Sequence, residues 1–135
     1  MKKRLATAWL DGCSGCHMSV LDLDERLLDL AARVEVVYGP LVDSKVVPAD
    51  IDVTLVEGAV GTEAHAARLR ELRAASRCLV ALGDCAGSGN VSAMRSVSGA
   101  RAVLERVYGD PGGPGGGLPE LLDVVLPLHR VVDVD

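Results

Sequence analysis

Two cysteines stand three positions apart in DGCSGCHMSVLD, residues 11–22, close to the N-terminus. At this spacing Cys13 and Cys16 suit three chemistries: a redox disulfide, half of a zinc site, or half of an iron–sulfur site. A third cysteine, Cys85, stands near the start of the Gly/Ser-rich stretch DCAGSGNVSAMR. Cys78 lies within the apolar run RCLVALG and reads as a core residue, since free cysteine is among the most buried residue types. A thioredoxin-type redox pair would leave Cys85 without a role, and the usual Gly-Pro between the cysteines is missing. A zinc site would need His17 or His129 beside the three thiols. His17 and His65 read as solvated residues near or on helices.

The elements that must position these groups follow from the apolar pattern. Runs at 4–10, 34–39, 52–58 and 77–83 have the length and flanks of buried strands. Leu23, Leu27, Leu30 and Val34 recur at helical spacing, so a helix is expected over 19–34, with Ser19 and Asp22 as its capping box. Thr62 is expected to cap a second helix running to Ala75, with Leu69 and Leu72 inward. The Gly/Ser stretch from 84 reads as a loop leading to a helix in SGARAVLERVYG. Residues 109–119, rich in Gly and Pro, read as a surface loop without the Lys-Ser/Thr that marks a phosphate cradle. The tail LPLHRVVDVD reads as the approach to a further strand.

Alternating strands and helices with continuous apolar strands predict an α/β, flavodoxin-like three-layer fold. The sheet is expected to be mostly parallel, with helices on both faces. The 135 residues read as a single domain, 1–135, missing its C-terminal end because the tail stops in mid-pattern. In such sheets functional groups collect beyond the carboxyl ends of the strands. Cys13 and Cys16 follow the first strand, Glu57 ends the third and Cys85 follows the fourth. With the first and fourth strands side by side, three thiols would share one rim, and convergent sulfur selects zinc or an iron–sulfur cluster. Ala59, Val60, Ala86, Val91, Ala93 and Met94 are expected to crowd the same rim as an apolar patch.

Composition narrows the function classes. Apolar residues make up 49%, yet there is no Phe and only one Trp and two Tyr, so the core is built from Leu, Val and Ala. The net charge of −5 and the lack of a long basic run speak against nucleic-acid binding. No apolar stretch approaches the roughly 20 residues that span a bilayer. The opening MKKRLATAWLDG mimics a signal peptide, but Asp11 interrupts it and no cleavage site follows. A cytoplasmic location is expected, with the cysteines as metal ligands, reactive thiols or core residues rather than structural disulfides.

CSGCHMSVLDLDERLL, VEGAV and GDCAGSGNVSAMR together resemble the small, electron-transfer subunit of [NiFe]-hydrogenases, nearest to the bidirectional, NAD-linked cytoplasmic group. The likeness runs from residue 4 to 135, with Ser92 standing where that family usually has proline. The related subunit of respiratory complex I has adjacent cysteines in place of Cys-x-x-Cys. The resemblance implies that Cys13, Cys16 and Cys85 are three of four thiolate ligands of a [4Fe-4S] cluster. The fourth lies, in that family, in a Gly-Cys-Pro-Pro segment not found in this sequence. It further implies electron relay from H2 split at a NiFe site in a large subunit towards flavin/NAD diaphorase subunits. Backbone amides of Gly12, Ser14, Gly15 and Ala86 would then bond to the cluster, and Glu57 would serve a proton or subunit-interface role. Two other classes stay open: a flavodoxin-like FMN carrier contacting the flavin phosphate through loops 11–16 and 84–90, and an assembly module without cofactor.

Overall fold

The computed structural model describes residues 1–109 and 117–135, so most of the expected 109–119 loop lies outside the described residues. In chain order the elements are β1 (Lys3–Trp9), α1 (Gly15–Leu21), α2 (Arg26–Arg33), β2 (Val34–Tyr38), β3 (Ile51–Glu57), β4 (Val60–Thr62) and α3 (Glu63–Ala75). There follow β5 (Ser76–Leu82), α4 (Asp84–Ser88), α5 (Asn90–Ala93), a 3-10 turn, α6 (Ala100–Tyr108) and β6 (Leu121–Leu126). Four strands form one sheet in the order β2-β1-β3-β5, with every pairing parallel. From β1 the chain goes one way to β2 and the other way to β3 and β5. Right-handed crossovers therefore set α1 and α2 on one face and α3 on the other. This is the expected α/β layering.

The core lies on the α3 face. Ala8, Val56 and Leu79 of the strands pack against Ala66, Leu69 and Leu72 of α3, and Val60, Ala86 and Leu128 close the cluster. Thr62 caps α3 as expected, accepting the His65 amide at 3.0 Å. On the opposite face Leu5 and Thr7 are covered, whereas Val53, Leu55, Cys78, Val80 and Leu82 are only half-buried. Cys78 thus lies within a strand as expected but is not enclosed, because α1 and α2 follow β1 and cross towards β2.

Several expectations are corrected. The helix expected over 19–34 is two helices, broken at residues 22–25, where Asp24 adopts φ 49°. Ser19 caps nothing; its hydroxyl donates to the Cys16 carbonyl at 2.6 Å. The Gly/Ser stretch after β5 is not a loop but a chain of short helices. The strands that precede the cysteine segments, β1 and β5, are not neighbours, because β3 lies between them. The tail forms no described strand beyond β6; Asp135 instead docks on the edge of β5, its amide donating to the Leu79 carbonyl at 3.0 Å and its carboxylate accepting the Leu79 amide at 2.8 Å. Arg73 pairs with the same carboxylate, and these contacts hold the Asp135 pKa below the usual range.

His65 is half-buried on α3, with its Nδ1 enclosed and unpartnered among the described residues. Burial lowers its pKa, with Asp11 opposing and Arg95 reinforcing the shift. The folded protein therefore holds this ring neutral, and the unfolded chain takes up the proton first as pH falls below about 6.5. Stability from His65 is present above that value and is lost as pH falls towards the folded pKa. Urea midpoints taken at about pH 7.5 and about pH 5.5 are expected to differ less in His65→Gln than in wild type.

Candidate metal centre

The loop after β1 is held against the end of β3 by backbone pairing. Leu10 donates to the Glu57 carbonyl at 2.9 Å, and Asp11 and Ala59 exchange both bonds, at 2.9 and 2.8 Å. This zipper carries the chain past the strand ends and delivers Gly12 over the Glu57 side chain. A Cβ at Gly12 would lie 2.5 Å from Glu57 Oε1, so the close approach demands glycine there. Ser14, in the left-handed region at φ 65°, turns the chain into α1, and its amide donates to Glu57 Oε1 at 3.1 Å. One buried carboxylate thereby shapes the whole Cys13–Cys16 turn. Gly15 opens α1, and Ala86, in the first turn of α4, has its side chain fully buried in the core.

Cys85 reaches the same place from the far side of β3. Gly83 follows β5 at φ 86°, a conformation that favours glycine, and a Cβ there would collide with Cys16 Sγ. The segment ending β5 thus runs directly against the second thiol, and α4 then turns Cys85 inward. Cys13, Cys16 and Cys85 line one cavity of about 370 Å³, together with Glu57 and Asp84. It sits beyond the carboxyl ends of the parallel strands, where loops after β1 and β3 part to opposite faces. The sequence brings the three thiols together as expected, although β1 and β5 do not touch.

Among the described residues the cavity wall contains no basic side chain. Burial pushes the Cys16 thiol pKa up, and Glu57, Cys13, Cys85 and Asp84 push it further in the same direction. Every charge named there is negative, so ionised sulfur in this place needs a cation. Among the described residues, no three metal-ligating side chains close on one point as a single bound ion requires. Three thiols spread round a cavity fit a polynuclear iron–sulfur group better than one zinc ion. Glu57 is 2% exposed, and its Oε2 has no hydrogen-bond partner among the described residues.

Cys78 takes no part. It pairs with Val53 on the strand, four residues before Leu82, roughly 13 Å below the rim at the usual strand rise. His17 is not solvated as expected; it is 4% exposed, with its ring edge-to-face with Trp9 at 5.3 Å. His129 is exposed on a 3-10 turn. Val91 lines the cavity, at the rim where it is expected, and Asp84, Asn90 and Ser92 line it as well. The signal for these three is their proximity to Cys85 in DCAGSGNVS.

Residues 13–135 match the family described as NADH ubiquinone oxidoreductase, 20 Kd subunit. One subunit of the vhu F420-non-reducing hydrogenase of Methanococcus voltae is 36% identical, over 99% of this chain and 49% of its own length. The NAD-reducing hydrogenase HoxS subunit delta of Cupriavidus necator is 35% identical, over 99% of this chain and 69% of its own. A chain from the crystal structure of an NAD+-reducing [NiFe]-hydrogenase in the H2-reduced state superposes with a TM-score of 0.91 at 42% identity, covering all of this chain and 80% of that one. The chain spans about half the length of the first curated relatives it matches. The expected kinship with hydrogenase small subunits agrees with these matches. From its fold, its thiol cavity and the match along nearly its whole length, the chain belongs to the family of the 20 Kd subunit of NADH ubiquinone oxidoreductase.

Proposed function

We propose that this chain is the electron-transfer subunit of a [NiFe]-hydrogenase of the NAD-linked kind, and that Cys13, Cys16 and Cys85 ligate a [4Fe-4S] cluster. The observation that carries this reading is the cavity itself: three thiols and two carboxylates meet with no basic side chain among them. When bound, the cluster supplies one-electron transfer. The protein's part is to hold and shield it. Glu57 fixes the Cys13–Cys16 turn through the Ser14 amide, and its free Oε2 leaves it able to accept a proton or a hydrogen bond from a partner. Gly15 brings backbone close to the Cys13 sulfur, Gly12 lets the loop pass over Glu57, and Ala86 anchors the Cys85 turn to the core. The fourth ligand is not Cys78, which lies too far down β5. An FMN phosphate is disfavoured at the same loops, because Glu57, Asp84 and the thiols would repel it.

The proposed partners are a hydrogenase large subunit and flavin/NAD diaphorase subunits, in the cytoplasm. Among the described residues no helix is long and apolar enough to cross a membrane. Of the apolar residues expected to crowd the rim, Ala59, Val60 and Ala86 are fully buried, which corrects that expectation. Val91 and Met94 are exposed, at 66% and 71%, and Val97 and Met18 are exposed as well. These side chains, with Val91 on the cavity wall, suit an apolar partner surface.

Two outcomes test the reading. Cys85→Ser is expected to abolish iron and sulfide uptake when this subunit is reconstituted apart from its partners, while Cys78→Ser leaves both at wild-type content per chain. Equal loss in the two variants would remove the assignment. Met94→Glu is expected to weaken co-purification with a hydrogenase large subunit by about tenfold or more, with circular dichroism unchanged. Undiminished pairing would place the interface elsewhere.

A further inference from the structure

We propose that Ser92 is a positioning residue of the thiol cavity, its hydroxyl strapping the segment that carries Cys85 to the loop that carries Cys13 and Cys16. This rests on the cluster reading above and adds a residue to it. Ser92 Oγ donates to the Asp11 carbonyl at 2.8 Å, across 81 positions of sequence. That carbonyl also accepts the Ala59 amide at 2.8 Å, so one oxygen joins the β1 loop, the end of β3 and α5. Ser92 itself lines the cavity.

The segment needs such a strap. α4 and α5 have five and four residues, too short to hold their own shape, and at their junction Gly89 and Asn90, the first residue of α5, both adopt positive φ, 85° and 35°. Downstream the segment is moored to the small antiparallel sheet of β4 and β6: Arg95 donates to the Gly61 and Leu122 carbonyls, and Ser96 Oγ accepts the Val125 amide at 2.9 Å. None of these contacts reaches the Cys13 loop. Among the described residues, Ser92 makes the only hydrogen bond between segment 84–97 and residues 10–16. It therefore ties the Cys85 wall to the Cys13–Cys16 loop by a hydrogen bond, beside the packing of Ala86 in the core and of Gly83 against Cys16.

Removing the hydroxyl makes a clean test. In Ser92→Ala the Asp11 carbonyl keeps the Ala59 amide, so no buried acceptor is orphaned and the sheet is retained. Wild type, Ser92→Ala and Ser92→Thr are compared as full chains, first without metal by amide hydrogen exchange, with circular dichroism as the folding control. The chains are then loaded with ferrous iron and sulfide, and iron release to a chelator is followed. Ser92→Ala is expected to exchange about tenfold faster over residues 12–16 and 85–93 and to release iron faster, and Ser92→Thr to restore both. Exchange in Ser92→Ala within about twofold of wild type, or no recovery in Ser92→Thr, would overturn the strap. A wild-type chain that takes up neither iron nor sulfide would defeat the cluster reading alone, and the exchange measurements would still decide on Ser92.

Discussion

Acidic groups crowded round one cavity are the constraint on which this structure turns. Three thiols and two carboxylates line a single cavity, and every neighbour that shifts the Cys16 thiol makes its ionisation harder. Pairing with lysine or arginine would relieve that strain, as it does in redox-active thiol sites. The wall offers neither. What remains is a set of groups that ionise together only beside a metal centre that supplies positive charge, and the proposed cluster would supply it.

The fold creates that constraint through its central strand. β3 lies between β1 and β5, so the two cysteine-bearing segments approach from opposite sides of its carboxyl end. Glu57 stands at that end and binds the Ser14 amide, while the 57–59 backbone pairs with residues 10 and 11. On the other side Gly83 lets the chain pass against Cys16. The support beneath is the apolar layer of Val56, Leu79, Leu69 and Leu72, which holds α3 and the strands rigid under the loops. A site built on strand ends keeps its geometry better than one built on free loops.

Much of this is legible in the sequence for a physical reason. Short, largely apolar runs mark the four parallel strands, which need no strict alternation of apolar and polar residues because helices lie over both faces of the sheet. Thr62 marks the start of α3 through its own side chain. Cys13, Cys16, Glu57 and Cys85 stand at run ends, and strand ends are where a parallel sheet places its groups. What stays hidden is long-range. Strand order is not written in local pattern, so the place of β3 between β1 and β5 cannot be read from it. The leucine spacing of 19–34 hides the turn at Asp24. Val60 and Ala86 are buried in one cluster with Leu128, which is remote from both in sequence. β4, with three residues, carries too short a signal to read. His17 reads as a solvated side chain because nothing nearby in sequence shows that α1 folds it onto Trp9.

The central claim is that the cavity holds an iron–sulfur cluster. The most direct measurement is chemical analysis of this chain, reconstituted anaerobically with iron and sulfide apart from its partner subunits, joined to Mössbauer spectroscopy of the iron. The account predicts iron and acid-labile sulfide in equal amounts, with spectra of sulfur-coordinated iron and a broad absorption without flavin structure. Stoichiometric zinc, or a flavin spectrum with no labile sulfide, would contradict it.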